Sequence, residues 1–580
     1  MVTVIQTHQG SPHDLLAKAA AQGANHTHLL EIAHQQRTVS GDEMWGMPMA
    51  FCLWQLDRIG EAMLALDQAE AVCRDNADFQ MLRGVVARQL PDRAGDSIAM
   101  QAYREAIRLA PHRGDAHYCL ANILVDQDNI QAAEGMYQRS LQLDSGQQLA
   151  WHNLGRMLSF ANRFTEAIPL LRQSIILNPK HADSWCNLGL ALMGLERFQQ
   201  ALACFHEAIA LDSNHGATHI NIGNVLISKL EPDEALKYLE RGAELESSSA
   251  NSLWNLSLAY LLLGRFKEGW HFYESRYQTK AFEKAHIPTT GLQVKTVEQL
   301  PALGDAPLVV WAEQGMGDSV QFGRYLYLLN VMGVPFEFHC RPQLITLFQH
   351  WTPFADRIVR ERTTEPASDQ RPHVSLMSLP MVLGTEMHTI PCSVPYLFCN
   401  QPIPAHLQLD SPPGGLAVGL VWASNPDNKA MYRAKSIPLG VLMPTLTQLL
   451  DLDLINLHSL QFGDDAAQLQ PWECHDRITD WKDRLTDFNE TTHILRQLDL
   501  VITVDTAVAH LAGALNRPTW LLLPANADFR WLRDRDDCPW YPSMRLFRQS
   551  QVNDWPGVAQ QVRQALAELV LLDLDSMQRS

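Results

Sequence analysis

Three short stretches carry residue types that could do chemistry. AEQGMGDSVQF, 312–322, places Asp318 just behind Gly315 and Gly317; GLVWASNPDNKAMYRAKSIPL, 419–439, groups Lys429, Arg433 and Lys435; DLVITVDTAVAHLAGAL, 499–515, places Asp505 and Thr506 one helical turn before His510. A carboxylate near a cleft can accept a proton from an attacking hydroxyl. A basic loop in an otherwise acidic chain can clamp a diphosphate. Each feature also has a plainer reading: Asp318 as a helix N-cap, the cations as solvated side chains, His510 as a packing residue.

These groups need elements to hold them, and each follows an apolar run. LVVW at 308–311, LAVGLVWA at 416–423 and DLVITV at 499–504 read as strands, as do PFEFHC, HVSLMSL, LINLHSLQ at 454–461 and TWLLLP at 519–524. Nearly continuous apolar strands alternating with helical patterns predict parallel sheets covered on both faces. The proline-rich PCSVPYLFCNQPIPAHLQLDSPPGG, 391–415, interrupts the alternation. Two doubly wound lobes would then share a cleft at the carboxyl ends of their strands. At the third exit the free N–H groups of Thr506, Ala507 and Val508 can point at an anion, aided by the helix dipole. His510 lies on the same helical face. Asp505 cannot bind phosphate directly, so it orders the loop, binds a sugar hydroxyl or caps the helix. Gly315 and Gly317 permit a tight turn and close approach of a ligand.

The first half is a different object. At a step of 34 residues WHNLG (151–155), WCNLG (185–189) and HINIG (219–223) superpose, and WNLS at 254–257 slips by one. Ala133, Ala167, Ala201 and Ala235 fall in phase, as do Pro111, Ser145, Pro179, Ser213 and Ser247 at the repeat ends. Such a period marks a solenoid. The glycines would let paired helices approach, the alanines would sit at their crossing, and large apolar residues would fill between repeats. A looser copy covers about 79–111 with roughly three extra residues near PDRAGD, another about 46–77, and 12–40 read as capping helices. Trp270, Tyr273 and Tyr277 at helical spacing read as packing or capping residues. Asn153, Asn187, Asn221 and Asn255 recur in phase; they could bond the backbone of an extended peptide in the groove, or bond within the array.

Bulk properties narrow the function classes. At 580 residues the chain is too long for one core. A net charge of -18 excludes a general nucleic-acid binder, which needs a basic face. Ten cysteines are scattered singly, without a C-x-x-C pair, which fits a reduced compartment and no disulfides. No signal peptide and no apolar run of about 18 residues is read, so a cytoplasmic location is expected and no transmembrane segment. No acidic metal motif stands out: Asp451 and Asp453 read as a turn.

The repeats resemble the tetratricopeptide repeat (TPR). From about 305 to 565 the chain resembles glycosyltransferase family nine, the heptosyltransferase-like family, in the bacterial version fused behind TPRs. GMGD, GLVWASNP with KSIPL, SLQ at 459–461 and above all DLVITVDTAVAHLAGAL carry that likeness. The resemblance implies a multidomain protein: a helical cap at 1–45, an all-α TPR solenoid at 46–278, a linker at 279–306, and a GT-B fold of two Rossmann-like α/β lobes at 307–400 and 401–570. It implies an inverting, metal-independent sugar transfer without a cofactor. Asp318 would be the catalytic base. Gly315, Gly317, Arg433, Lys435, Gln461, Asp505, Thr506, Ala507 and His510 would hold a nucleotide-sugar donor, and the loops after SLQ and at 525–535 its base. The acceptor would be a protein hydroxyl recruited by the repeats. An interaction scaffold with an inactive module, or transfer to a glycan or lipid-linked acceptor, are the alternatives. The segment 525–549 is closer to the repeat-fused branch than to the heptosyltransferases, which leaves the sugar open.

Overall fold

The computed structural model describes residues 25–40, 43–91, 95–282, 291–313, 315–360, 370–398, 401–409, 412, 414–426 and 429–577. Of the capping helices expected at 12–40, the part from His26 to Ser40 is a helix, while the part before residue 25, the middle of the PDRAGD insertion and the centre of the expected linker lie outside the described residues. The chain divides into two compact units, one up to Thr218 and one from His219 onward.

The first unit is built of paired helices, and its period is visible in the backbone. First helices begin at Gly114, Gln148 and Ala182, and their partners at Ile130, Phe164 and Phe198. Each pair is joined by one residue in the left-handed region, Asp128, Asn162 and Glu196, at φ 58 to 60°. Asp and Asn tolerate this conformation better than most residues. The predicted division of labour holds. Ala133, Ala167 and Ala201 are fully buried, and a Cβ on Gly189 would lie 2.4 Å from the Phe205 ring, as one on Gly155 would crowd Leu171. Gly84 stands against Tyr103 in the same way, three positions further along than the later pairs, which locates the three-residue insertion. Trp151 and Trp185 each donate their indole N–H to the carbonyl closing the preceding repeat, Ser145 and Pro179, at 2.9 Å.

The second unit opens with more of the same. Helices Pro232–Leu245, Ala250–Leu262 and Phe266–Tyr273 keep the period, and the left-handed positions are Leu230 and Gly264. The one-residue slip at WNLS is therefore a displacement of the tryptophan, not of the backbone. Gly264 is glycine for a local reason: a Cβ there would meet the Met387 methyl at 2.7 Å. At the equivalent turn, Leu230 accepts a bond from Arg533 at 2.9 Å. Trp270 and Tyr273 are buried and join one core with Phe322, Phe529 and Trp540.

Two all-parallel sheets follow, with strands Leu308–Trp311 (β1), Phe336–Cys340 (β2), Ile358–Arg360 (β3), His373–Ser375 (β4), Leu416–Val421 (β5), Ile455–Ser459 (β6), Ile478–Asp480 (β7), Leu500–Val504 (β8), Thr519–Leu523 (β9) and Met544–Arg548 (β10). Their orders are β3-β2-β1-β4 and β10-β9-β8-β5-β6-β7. In each sheet the chain runs outward from the first strand and then returns to its other side. This creates a switch point between β1 and β4 and another between β5 and β8, where open α/β sheets bind ligands. β1 and β8 are buried along their whole length, as continuous apolar strands require. The short β3 and β7 and the terminal β10 were not among the expected strands; three-residue strands carry too little pattern to register. The described part of the expected linker is anchored: Val294 is buried and its N–H donates to His373 at 2.9 Å beside β4.

One buried ion pair ties the last helical hairpin to the first sheet. Arg276 and the Glu313 side chain are both fully buried, 2.8 Å apart, and Arg276 also reaches Glu274 at 2.7 Å and Ser378 at 2.9 Å. Burial works against both charges; the neighbouring carboxylates hold the guanidinium protonated above its ordinary value. Removing one partner of such a pair leaves the other buried and uncompensated. Arg276→Met is expected to cost about 3–5 kcal/mol, read as a lowered denaturation midpoint in chemical unfolding.

Candidate active site

The two switch points face each other. Behind β1 the chain enters helix Met316–Phe322, capped by Gly315, whose N–H donates to Asp318 Oδ2 at 2.8 Å. Behind β8 it enters helix Ala507–Ala514. These helices touch: a Cβ on Gly317 would lie 2.9 Å from His510 Cδ2 and 3.5 Å from the Ala507 Cα. The close approach of these helices between the lobes leaves no room for a side chain at Gly317. Around this contact the lobes are closed by Arg324, which is buried and has no carboxylate partner among the described residues. It donates to Trp540 O at 2.6 Å and Pro391 O at 3.1 Å, with its guanidinium over the Tyr541 and Tyr396 rings.

At the rim of the contact runs a line of alternating charge. Asp505 pairs with Lys435 at 2.5 Å. Lys435 is also attracted by Asp528, Asp528 binds Arg530 at 2.7 Å, and Arg530 binds Asp318 Oδ1 at 2.6 Å. Four strand exits meet here, those of β1, β5, β8 and β9. Burial opposes the charge on Lys435, but Asp505 and Asp528 outweigh it and hold its ammonium above the usual lysine value. Burial likewise opposes ionisation of Asp528, and Arg530 and Lys435 outweigh it, keeping the carboxylate below its ordinary value.

His510 sits behind this line. Its Nδ1 meets the Tyr541 hydroxyl at 3.1 Å and its ring stacks on Trp531 at 5.2 Å. Burial, assisted by Arg530, Lys435 and Arg324, drives the imidazole down to about 3 against the pull of Asp505. The ring is therefore neutral. Thr506 is the N-cap of its helix yet makes no side-chain capping bond; its hydroxyl lies 3.3 Å from that of Thr503. Thr506 and Ala507 are partly exposed at the mouth of the first helical turn, where N–H donors and a helix dipole suit an anion.

Asp318, Gly315, Gly317, Lys435, Asp505, Thr506, Ala507 and His510 are thus brought together. Others are not. Gln461 uses its whole amide on backbone: Oε1 accepts from Trp422 and Ala423 at 3.1 and 2.9 Å, while Nε2 donates to Ala423 O and Phe462 O at 3.2 and 3.0 Å. With both donors and both acceptor sites filled, it ties the β5 and β6 exits together. Arg433 is exposed, on a seven-residue helix Lys429–Lys435 where a loop was expected. The asparagines bond within the array: Asn153 to Asn122 at 2.9 Å, Asn187 to the Asp183 carbonyl at 2.9 Å and Asn255 to the Asn251 carbonyl at 3.0 Å. The sequence reading missed Arg530, Asp528 and Trp531. The signal available was their position behind a buried strand, in a run of alternating Asp and Arg between aromatics.

Comparison with known proteins adds to this geometry. Residues 484–525, which span β8, the turn and helix Ala507–Ala514, match the glycosyltransferase family 9 (heptosyltransferase) profile. Tetratricopeptide-repeat profiles match 97–147, 150–183 and 182–215. Protein FlbA of Caulobacter vibrioides is 26% identical over 334 residues, 53% of this chain and 53% of that protein; the chain thus spans about half the length of this curated relative. Among solved structures, YrrB, a TPR protein with an unusual peptide-binding site, is 21% identical, covering 32% of this chain and 94% of its own at a TM-score of 0.28. PilF of Pseudomonas aeruginosa is 24% identical, with 36% and 93% covered and a TM-score of 0.31.

The neutral His510 has a consequence for stability. Its folded value lies far below the ordinary histidine value, so between about pH 6.5 and 3 the unfolded chain binds a proton that the folded chain refuses. Stability must therefore fall with pH through that window, by about 2 kcal/mol from this residue at about pH 5. Buried His152 and His458, both pushed down to about 4, act in the same direction. Melting temperature recorded from pH 7 to 4.5 should show the fall, and His510→Gln should make it shallower. The chain thus joins tetratricopeptide repeats to a two-sheet α/β region whose β8-turn-helix segment matches glycosyltransferase family 9.

Proposed function

We propose that the protein is a glycosyltransferase of GT-B architecture that moves a sugar from a nucleotide-sugar donor to an acceptor presented by the repeats, with inversion and without a metal. The observation that carries this reading is the line Asp505–Lys435–Asp528–Arg530–Asp318 at two facing switch points, beside the uncapped first turn of helix Ala507–Ala514. The family 9 match at 484–525 supports the same class of activity.

In this reading the donor diphosphate lies against the first-turn amides, the Thr506 hydroxyl and the Lys435 ammonium. Asp505 serves to aim Lys435. Asp318 takes the proton as the acceptor oxygen attacks the anomeric carbon; the bond from that carbon to the diphosphate oxygen breaks, and its electron pair leaves with the diphosphate. Fixed N–H groups and cations receive that charge. A polypeptide hydroxyl is the preferred acceptor because a helical repeat array is a polypeptide-binding scaffold. The bonds that the repeat asparagines make within the array leave their use in a groove to be tested by substitution. Among the described residues no helix is long and apolar enough to cross a membrane, and the scattered free cysteines fit a cytoplasmic setting.

The test begins with thermal stabilisation by a panel of nucleoside diphosphates and nucleotide sugars, since a ligand that binds only the folded state raises stability by mass action. Asp318→Asn, which keeps the size of the side chain, should lower turnover by about 100-fold or more while leaving nucleotide affinity within about threefold. Absence of any nucleotide-dependent shift at millimolar concentration would transfer the weight to an interaction scaffold.

A further inference from the structure

We infer that Arg530 is the positioning residue of the Asp318 base and that it acts from the opposite lobe. The inference rests on the reading of Asp318 given above. Asp318 stands behind β1, whereas Arg530 belongs to the turn Phe529–Trp531 behind β9. Both oxygens of the Asp318 carboxylate are engaged: Oδ2 accepts from Gly315 N at 2.8 Å and Oδ1 from Arg530 Nη2 at 2.6 Å. Each oxygen keeps one lone pair, so the carboxylate can still accept a proton, but its plane and direction are set by two donors on different elements.

Arg530 is itself held in one pose. Its side chain is 9% exposed. Nη1 is bound to Asp528 Oδ1 at 2.7 Å, the Asp528 side chain caps the Arg530 N–H at 3.1 Å, and the guanidinium lies over the Phe529 ring at 4.5 Å. A planar fork that spans two carboxylates in fixed directions is what arginine supplies and lysine does not. Arg530 thus ties the base to Asp528, and through Asp528's attraction for Lys435 to the cation placed at the diphosphate. Base and donor cation are held on one frame, the kind of fixed geometry that catalysis by proximity draws on.

The test compares the full-length protein with Arg530→Met, Arg530→Lys and Arg530→Ala, reading kcat and donor KM from nucleoside-diphosphate release and the Kd for the nucleoside diphosphate by calorimetry. Arg530→Met should lower kcat about 100-fold with donor KM and Kd within about threefold, because the lost contact bears on the base and not on the donor. Arg530→Lys should lower kcat at least about tenfold at an unchanged melting temperature, and added guanidinium ion should restore part of the activity of Arg530→Ala. A kcat retained within about threefold in both the Met and Lys variants overturns the inference while leaving the proposed function standing. A loss confined to KM and Kd also overturns it and makes Arg530 a donor-binding cation. Should the Met variant fail to fold, the Lys variant decides by the same criteria. If the parent protein neither binds nucleoside diphosphates nor releases them from any donor, the inference falls together with the reading it rests on.

Discussion

A buried charge must be matched where it lies, and the centre of this molecule is organised by that constraint. Five ionisable side chains, Asp505, Lys435, Asp528, Arg530 and Asp318, alternate in sign across four strand exits. Burial disfavours the charge on Lys435, Asp528 and Arg530, and in each case the facing opposite charges outweigh it. Its Arg530–Asp318 step joins the two lobes. The contact of Gly317 with His510, closer than any side chain would allow, is the steric counterpart of that electrostatic demand.

The same logic recurs one layer away. Glu313, in the turn between β1 and Asp318, is neutralised by Arg276, which follows the last repeat hairpin. That hairpin also supplies Trp270 and Tyr273 to the core containing Phe322 and Trp540. The final repeat is therefore part of the structure that holds the Asp318 loop, and not an appendage to it. Gly264, at the left-handed position where earlier repeats use Asp, Asn, Glu or Leu, lies directly against the Met387 methyl.

Much of the architecture could be read in advance. The step of 34 residues set helix starts, left-handed turns and the buried alanines, and the apolar runs at 308–311, 499–504 and 519–524 became β1, β8 and β9. Asp318, Lys435 and the Asp505-to-His510 segment are legible from sequence as polar groups at strand exits. What escaped notice was of two kinds. Short strands such as β3 and β7 have too few residues for a period to register. The partners of polar side chains are not legible either: the Gln461 amide bonds backbone at the β5 and β6 exits, Arg433 is exposed, and Asn153 bonds Asn122.

By itself the sequence determined the repeating helical hairpins, the two runs of parallel strands and the kinds of chemical group at their ends. These follow from periodic burial and local backbone preference, which act over tens of residues at most. Only the tertiary structure decided which groups meet. Asp318 and Arg530 are 212 positions apart, and His510 becomes a neutral, buried ring because Trp531, Tyr541 and Gly317 close over it. Desolvation and charge pairing at such distances depend on how the lobes pack, and no local pattern encodes that.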